Sequence, residues 1–168
     1  ESKDADTTIS GAQLVALFAS RNAGIDVPDE AFERGKKFLL SCQDEKGGFG
    51  YTGNSGANLP RTAIGSLILA LNKERESKAF KLSLDYLREN AKYGDQGHKS
   101  YSLYYTSQAM FRTSQNDWNQ WNFQNVKQLL ATQVENGSWT GNYGTTFATS
   151  AALLSMALNY RYLPIYER

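Results

Sequence analysis

Residues 43–51 read QDEKGGFGY, and ninety positions further on residues 133–144 read QVENGSWTGNYG. In both stretches a glutamine ends an apolar helical run and is followed by glycine and then by a large aromatic residue, Phe49 or Trp139. Glycine in the left-handed conformation can help to satisfy the last carbonyls of a helix, and a glutamine amide can reach a neighbouring element. The pattern therefore predicts a turn whose aromatic side chain packs over the junction between adjacent helical units.

Apolar residues recur at helical spacing in seven segments, separated by glycine-containing or polar stretches that break a helix. The first six segments form three pairs, and the seventh begins a fourth. The predicted helices cover residues 8–20, 28–42, 61–71, 77–91, 103–113, 117–133 and 146–160. The first helices of successive pairs start near positions 8, 62, 104 and 146, and a loop insertion between Tyr51 and Leu59 lengthens the first unit. This spacing indicates an internal repeat of three to four helical hairpins. In the second unit, residues 90–101 lack a glutamine at the end of the helical run, and the glycine–aromatic order is lost.

Composition limits the classes of protein to which these repeats can belong. The chain has 168 residues, of which 40% are hydrophobic and 21% charged, and its formal net charge is +1. These values indicate one globular domain over residues 1–168 and no nucleic-acid partner. Cys42 is the only cysteine, so an internal disulfide and a multi-cysteine zinc cluster are excluded. The polar residues 1–4 do not look like a signal peptide, and no apolar run approaches membrane-spanning length, so we expect a soluble domain; a signal or anchor could lie upstream, and the composition does not indicate a compartment.

The glycine–aromatic turns, placed between hairpins of about 45 residues, resemble the QW-type repeats of terpene cyclases, squalene–hopene cyclases and protein prenyltransferase β subunits. Four stretches are similar to a bacterial, planctomycete-type family of prenyltransferase/squalene oxidase repeat proteins: DTTISG at 6–11, YYTSQAM at 104–110, WNQWN at 118–122 and YRYLPIY at 160–166. The resemblance implies an all-α fold, an α/α toroid with first helices inside and second helices outside.

A toroid of this kind closes with about six hairpins. Three to four hairpins should therefore form an open arc. We expect the chain to be the C-terminal part of a longer protein, whose upstream repeats would be its natural partner.

The metal chemistry of the prenyltransferases needs an Asp-x-Cys pair and a distant histidine that hold zinc, which converts a substrate thiol to a thiolate. This set is missing here. Cys42 lies on the apolar face of a second helix, and the only histidine, His98, lies in a polar connection. We therefore expect no metal site and no cofactor.

Class II terpene cyclases protonate an alkene with an acid in an Asp-x-Asp-Thr-Thr motif. Residues 4–8 read DADTT and match that motif, so the resemblance implies Asp6 as the proton donor and Asp4 as its partner. The other interpretation is structural, because Asp and Thr directly before a helix cap its free N–H groups and offset its dipole. We favour capping.

The first helices also carry candidate ligand-binding residues: Gln13, Arg61, Tyr104, Tyr105 and Gln108. Small and polar residues on these helices could line a groove for a hydrophobic or glycan ligand, or could serve tight packing alone. A glycan-active enzyme is a further alternative, since acids in the turns should project from one rim, and glycosidases use two carboxylates. We expect the chain to act mainly as a binding or scaffold module.

An open arc leaves its end units without neighbours. We expect the first helix to expose Ile9, Val15 and Phe18, and the domain to hide this surface as a two-fold homodimer. At the other end, residues 160–168 alternate aromatic and charged side chains and could fold back as a cap.

Overall fold

The computed structural model describes residues 5–91 and 99–161, and this part of the chain is all-α. Its helices are α1 (Thr7–Asn22), α2 (Asp29–Ser41), α3 (Leu59–Leu71), α4 (Lys78–Asn90), α5 (Lys99–Phe111), α6 (Gln115–Thr132) and α7 (Thr145–Ala157), with a 3₁₀ turn at Leu158–Tyr160. The predicted all-α fold class is confirmed. The largest boundary error is at α5, which begins four residues before the predicted start at Leu103.

Side-chain caps define where most of these helices begin. A side-chain oxygen of the residue before the helix accepts the N–H of the third helical residue at Asp6, Asn58, Ser77 and Ser114. These are the residue types that satisfy the free N–H groups at a helix start. At α2 Pro28 precedes the helix, and the acids Asp29 and Glu30 lie in its first turn, where they favour the helix dipole.

The helices pack as successive hairpins. α1 packs on α2, α3 on α4 and α5 on α6, while α1, α3, α5 and α7 contact one another in that order. α3 lies at the centre of the molecule, and every residue from 62 to 70 is buried. A helix buried on all sides must be apolar or small on all sides, which explains its run of Ala, Ile, Gly, Ser and Leu.

The two glycine–aromatic turns have the same backbone hydrogen bonds. In the first turn the N–H of Asp44 donates to the carbonyl of Gly48 (2.8 Å), and the N–H of Gly47 donates to the carbonyl of Asp44 (3.1 Å). The second turn repeats both bonds ninety residues later, at 2.9 and 2.8 Å. Gly47 has φ of +89° and Gly137 has φ of +82°, so both turns use a backbone conformation that favours glycine.

The role that we predicted for these glycines needs correction. They close the turns, whereas the last carbonyls of α2, at Leu39 and Leu40, accept the N–H groups of Cys42 and Gln43. The helix end is satisfied by the residues that directly follow it, so no glycine is needed there.

Gln43 ties the end of its hairpin to the next one, as predicted. Its side-chain amide donates to the carbonyl of Ala79 in α4 (2.9 Å) and to the carbonyl of Gly47 (3.2 Å). Gln133 makes the second type of bond, to the carbonyl of Gly137 at 2.8 Å. The glutamine therefore stabilises its own turn in both repeats, and in the first it also joins two hairpins.

Phe49 and Trp139, here called the brace aromatics, are buried between hairpins. Phe49 is 0% exposed and Trp139 is 6% exposed. The N–H of Phe49 donates to Thr62 Oγ1 in α3 (3.0 Å), and the N–H of Trp139 donates to Thr149 Oγ1 in α7 (3.1 Å). The predicted packing of both aromatics over a junction between units is confirmed.

The expected apolar flank of α1 is wrong in two of its three residues. Ile9 is 61% exposed, but Val15 and Phe18 are partly buried against the hydrophobic core. The ring of Phe18 lies 4.5 Å from that of Phe32, because α2 folds back across this face of α1. The homodimer stays a prediction. Of the three α1 residues expected at its interface, only Ile9 is exposed.

The other end of the described chain exposes more apolar surface. On α7, Leu153 is 53% exposed, Phe147 is 40% exposed and Leu154 is 37% exposed. The C-terminal cap that we expected falls mostly on residues 162–168, outside the described residues. Over the described ranges no helix is both long and apolar enough to cross a membrane.

Candidate ligand-binding cavity

A cavity of about 230 Å³ lies among α5, α6 and α7 and extends to the end of α4 and the start of α3. From α5 it is lined by Ser102, Leu103 and Thr106; from α6 by Trp121, Asn125 and Leu129; from α7 by Ala148 and Ala152. The cavity is also lined by Trp139, Leu59, Ala91, Lys99, Ser100, Gln128, Thr132 and Thr140. Ser102 and Thr106 are four residues apart, so α5 presents both to the same side.

The wall between α6 and α7 is held by a buried polar contact. Asn125 is 1% exposed, and its side-chain amide donates to Ser155 Oγ (3.2 Å). Ser155 Oγ in turn donates to the carbonyl of Ala152 (2.8 Å). Because buried polar groups that are paired in this way have one favourable arrangement, the cavity wall has a defined shape.

An ion pair joins α4 to α6. Arg88 donates to both carboxylate oxygens of Asp117, at 2.8 and 3.1 Å. The hydrogen bond from Arg88 holds the pKa of Asp117 below its usual value, and the same bond raises the pKa of Arg88. Both groups are therefore charged at neutral pH, which favours the contact between the second and third hairpins.

Thr106 is the unusual residue of the cavity. It is 3% exposed, and its hydroxyl is buried without a hydrogen-bond partner. A helical threonine can bond the carbonyl four residues earlier, as Thr62 does with Asn58 (2.8 Å). A buried hydroxyl without a partner costs about 1–3 kcal/mol, so a polar group that bonds Thr106 would be favoured at this place.

Thr106 in α5 can be compared with Thr62 in α3 and Thr149 in α7, two threonines of the other first helices. The three threonines are 44 and 43 residues apart. Each lies three residues before a small residue of its helix, namely Gly65, Ala109 and Ala152. Thr62 and Thr149 each accept the N–H of a brace aromatic, whereas Thr106 does not.

The sequence analysis did not single out Thr106. A threonine followed three residues later by glycine or alanine occurs at all three positions, and this short signal does not distinguish them. The hydrogen bonds distinguish them, because Thr62 and Thr149 are paired with the brace aromatics and Thr106 is not.

Of the two acidic candidates, Asp6 is described and does not line the cavity. Asp6 caps α1, with its carboxylate accepting the N–H of Ile9 (2.9 Å), so the favoured interpretation of Asp6 is confirmed. The neighbouring Thr7 binds the loop after the first turn, through its N–H to the carbonyl of Tyr51 (2.8 Å) and its hydroxyl to the carbonyl of Gly50 (2.7 Å). Asp4 lies outside the described residues.

None of the candidate ligand-binding residues lines the cavity, and they lie on three different helices, α1, α3 and α5. Gln13 is exposed on α1. Arg61 supports the loop before α3, since its guanidinium donates to the carbonyl of Gly56 (2.5 Å) and lies 5.6 Å from the ring centre of Tyr51.

The other three candidates are packing residues of α5. The ring centres of Tyr104 and Tyr105 are 4.9 Å apart, and that of Tyr101 is 5.0 Å from Tyr105. Burial raises the pKa of Tyr105, so its phenol stays protonated. Gln108 is 3% exposed, and its amide donates to the carbonyl of Tyr104 (3.3 Å). These contacts fit the expectation that such residues serve tight packing.

Asp44 has a structural role in its turn, and the described residues contain no cluster of metal ligands. The Asp44 carboxylate accepts the N–H groups of Lys46 (2.8 Å) and Gly48 (2.9 Å), so it shapes its turn. Across residues 5–91 and 99–161, no three His, Cys, Asp or Glu side chains are grouped so that they could hold a metal ion. His98 and Asp95 lie outside these ranges.

Comparison of the chain with protein-family models, with curated proteins and with solved structures gives no match.

Proposed function

We propose that this chain is a binding module built from α/α hairpin repeats, and that the cavity among α5, α6 and α7 is its ligand site. Successive packing of α1, α3, α5 and α7 supports an open arc of the terpenoid cyclase and prenyltransferase type. The observation that carries the binding function is Thr106, whose buried hydroxyl lacks a partner in a cavity whose walls, apart from Lys99, are apolar or neutral.

The chemistry of the cavity lining favours binding over catalysis. The described lining residues include no carboxylate, histidine or cysteine, and Lys99 is the ionisable side chain among them. General acid–base catalysis most often uses a histidine or a carboxylate at the reacting atom, and neither is among these residues. Hydroxyl, amide and apolar groups instead suit recognition of a ligand by shape and hydrogen bonding.

The volume of the cavity indicates the size of the ligand. At about 230 Å³ it is smaller than the ~300–1,000 Å³ of typical small-molecule sites. It is larger than the ~150 Å³ apolar cavity that is known to hold benzene. A single ring therefore fits, and a chain of several isoprene units does not.

We expect benzene and indole to bind in this cavity and to perturb the backbone amide NMR signals of Thr106, Ala148 and Ala152. Ser102→Leu should abolish these shifts, because the larger side chain fills the space between α5 and α6. Ser150→Leu is the matched control, since Ser150 is exposed on α7 and lies outside the lining. Shifts that persist in Ser102→Leu would place the ring elsewhere and contradict the proposal.

The cyclase alternative predicts turnover that depends on Asp6. We expect no product from squalene or isoprenoid diphosphates, with or without zinc or magnesium, above a heat-killed control. Asp6→Asn separates the two roles, because asparagine caps a helix as well as aspartate does but cannot protonate an alkene. Product formed by the wild type and lost in Asp6→Asn, with unchanged stability, would favour the cyclase instead.

A further inference from the structure

We infer that Asn136 is a site of spontaneous deamidation, that the second glycine–aromatic turn protects it while the turn is closed, and that the isoaspartate product keeps the turn open. In this reaction the main-chain nitrogen of Gly137 gives up its proton and attacks Cγ of Asn136. An N–Cγ bond forms, and the side-chain amide nitrogen takes up a proton and leaves as ammonia. Water then opens the succinimide ring to aspartate or isoaspartate. Neither step involves the cavity or its ligand.

The sequence places the reaction at one position. Asn136 and Gly137 form the only Asn–Gly pair in the chain. Glycine has no side chain to shield its nitrogen, and its backbone turns most freely. Asn136 is exposed, so water reaches the ring once it has formed. When the turn is open, this pair therefore hinders the attack least.

In the closed turn, hydrogen bonds hold both reacting groups. The N–H of Gly137 donates to the carbonyl of Val134 (2.8 Å), so the proton that must leave is engaged. Asn136 Oδ1 accepts the N–H of Ser138 (3.1 Å) and the hydroxyl of Ser138 (2.7 Å), so the side-chain amide is fixed as well. Attack needs a free nitrogen and a side chain that can bring Cγ to it. The rate should therefore follow the fraction of molecules in which the turn is open.

The two donors on Oδ1 have a second effect, of opposite sign. Negative charge develops on this oxygen during the attack, and donors that point at it stabilise such charge. They assist only a nitrogen that is already free, whereas the bond from Gly137 to Val134 keeps the nitrogen protonated. Protection therefore outweighs assistance in the closed turn.

The two products differ in what they do to the turn. Aspartate keeps the length of the main chain, and its carboxylate can accept the bonds from Ser138, as the Asp44 carboxylate accepts the N–H of Gly48 in the first turn (2.9 Å). Isoaspartate carries the main chain through Cβ and Cγ and so lengthens it by an atom. The bonds from Gly137 to Val134 and from Val134 to Ser138 then no longer both fit. The turn stays open, and its hold on the second brace aromatic is weakened.

The test follows deamidation by peptide mapping after incubation at mildly alkaline pH, with and without guanidinium chloride. We expect the folded wild type to convert at least about tenfold more slowly than the unfolded chain, because a turn held by several hydrogen bonds is open in few molecules. Ser138→Ala removes one donor and should raise the folded rate about threefold to tenfold, the usual effect of one such bond. Ser138→Thr keeps the hydroxyl and is the matched control, and all three chains should convert equally in denaturant.

The consequence for the turn is measured on the isoaspartate form, separated by hydrophobic-interaction chromatography. This form should unfold at a lower denaturant concentration than Asn136→Asp, which represents the aspartate product with a main chain of normal length. Equal stability of the two would mean that the longer main chain fits the turn, and would overturn this part of the inference.

Two further results would contradict protection by the turn. Equal rates in the folded and the unfolded wild type would show that the closed turn does not slow the attack. A lower folded rate in Ser138→Ala than in the wild type would show that Ser138 assists the attack. Asn136→Gln tests the position, since a glutamine would have to form a larger ring; unchanged release of ammonia in this variant would place the reaction at another residue.

Discussion

Replacing Trp139 by alanine is expected to lower the free energy of unfolding by about 3–5 kcal/mol. The side chain is 6% exposed, and its indole N–H donates to the carbonyl of Leu129 at the end of α6 (2.9 Å). Truncation would leave a void among α5, α6 and α7 and would also leave that carbonyl without this donor. Because the ring contacts elements on both sides of the junction, its loss should loosen the packing of α7 on the third hairpin.

Urea unfolding followed by circular dichroism would measure this loss, provided that the transition is two-state. Trp139→Phe keeps most of the buried ring and removes the indole N–H, so it should cost much less than alanine. Phe123→Ala is the control for aromatic truncation at the surface, since Phe123 is 67% exposed, and it should change stability by less than about 0.5 kcal/mol. A loss below about 1 kcal/mol for Trp139→Ala would show that the ring is not buried.

Gly47→Ala should be the other strongly destabilising change, with a loss of at least about 3 kcal/mol. Two physical effects add at this position. The φ of +89° strains any residue that has a Cβ, and an alanine Cβ would overlap the backbone carbonyl of Leu82 in α4. That carbonyl is part of a helix, so it cannot move aside without disturbing the second hairpin.

Gly137→Ala separates these two effects. Gly137 has nearly the same φ, +82°, but nothing except the Gln133 amide lies within 4 Å of its would-be Cβ, at 3.9 Å. Only the backbone strain remains there, at about 1–2 kcal/mol. The difference between the two variants, measured by denaturant unfolding, reports the contact between the first turn and α4. Equal losses would mean that this turn does not press against the helix.

The sequence by itself determined the secondary structure and the order of the repeats. Helical periodicity located the seven α-helices of residues 5–91 and 99–161 to within about four residues, because each apolar face needs the same spacing whatever it packs against. The two glycine–aromatic turns also predicted aromatic side chains buried at the junctions between hairpins. A large ring beside a chain reversal is stabilised mainly by burial between the units that the reversal connects.

Tertiary structure decided the role of each side chain for which the sequence allowed more than one role. Asp6 fitted both a helix cap and a proton donor, and the Ile9 N–H at 2.9 Å assigns it the cap. Val15 and Phe18 were expected on an open flank, but α2 folds over them, and a helical pattern does not say which partner covers a given face.

The cavity depended on tertiary structure in the same way. Its walls come from the end of α4, from α5, α6 and α7, and from the second glycine–aromatic turn, so its existence depends on distances between residues far apart in the chain. Thr106 became distinct from Thr62 and Thr149 only when the hydrogen bonds of all three could be compared. A repeat in the sequence specifies equivalent positions, but only packing in three dimensions determines whether each position has its partner.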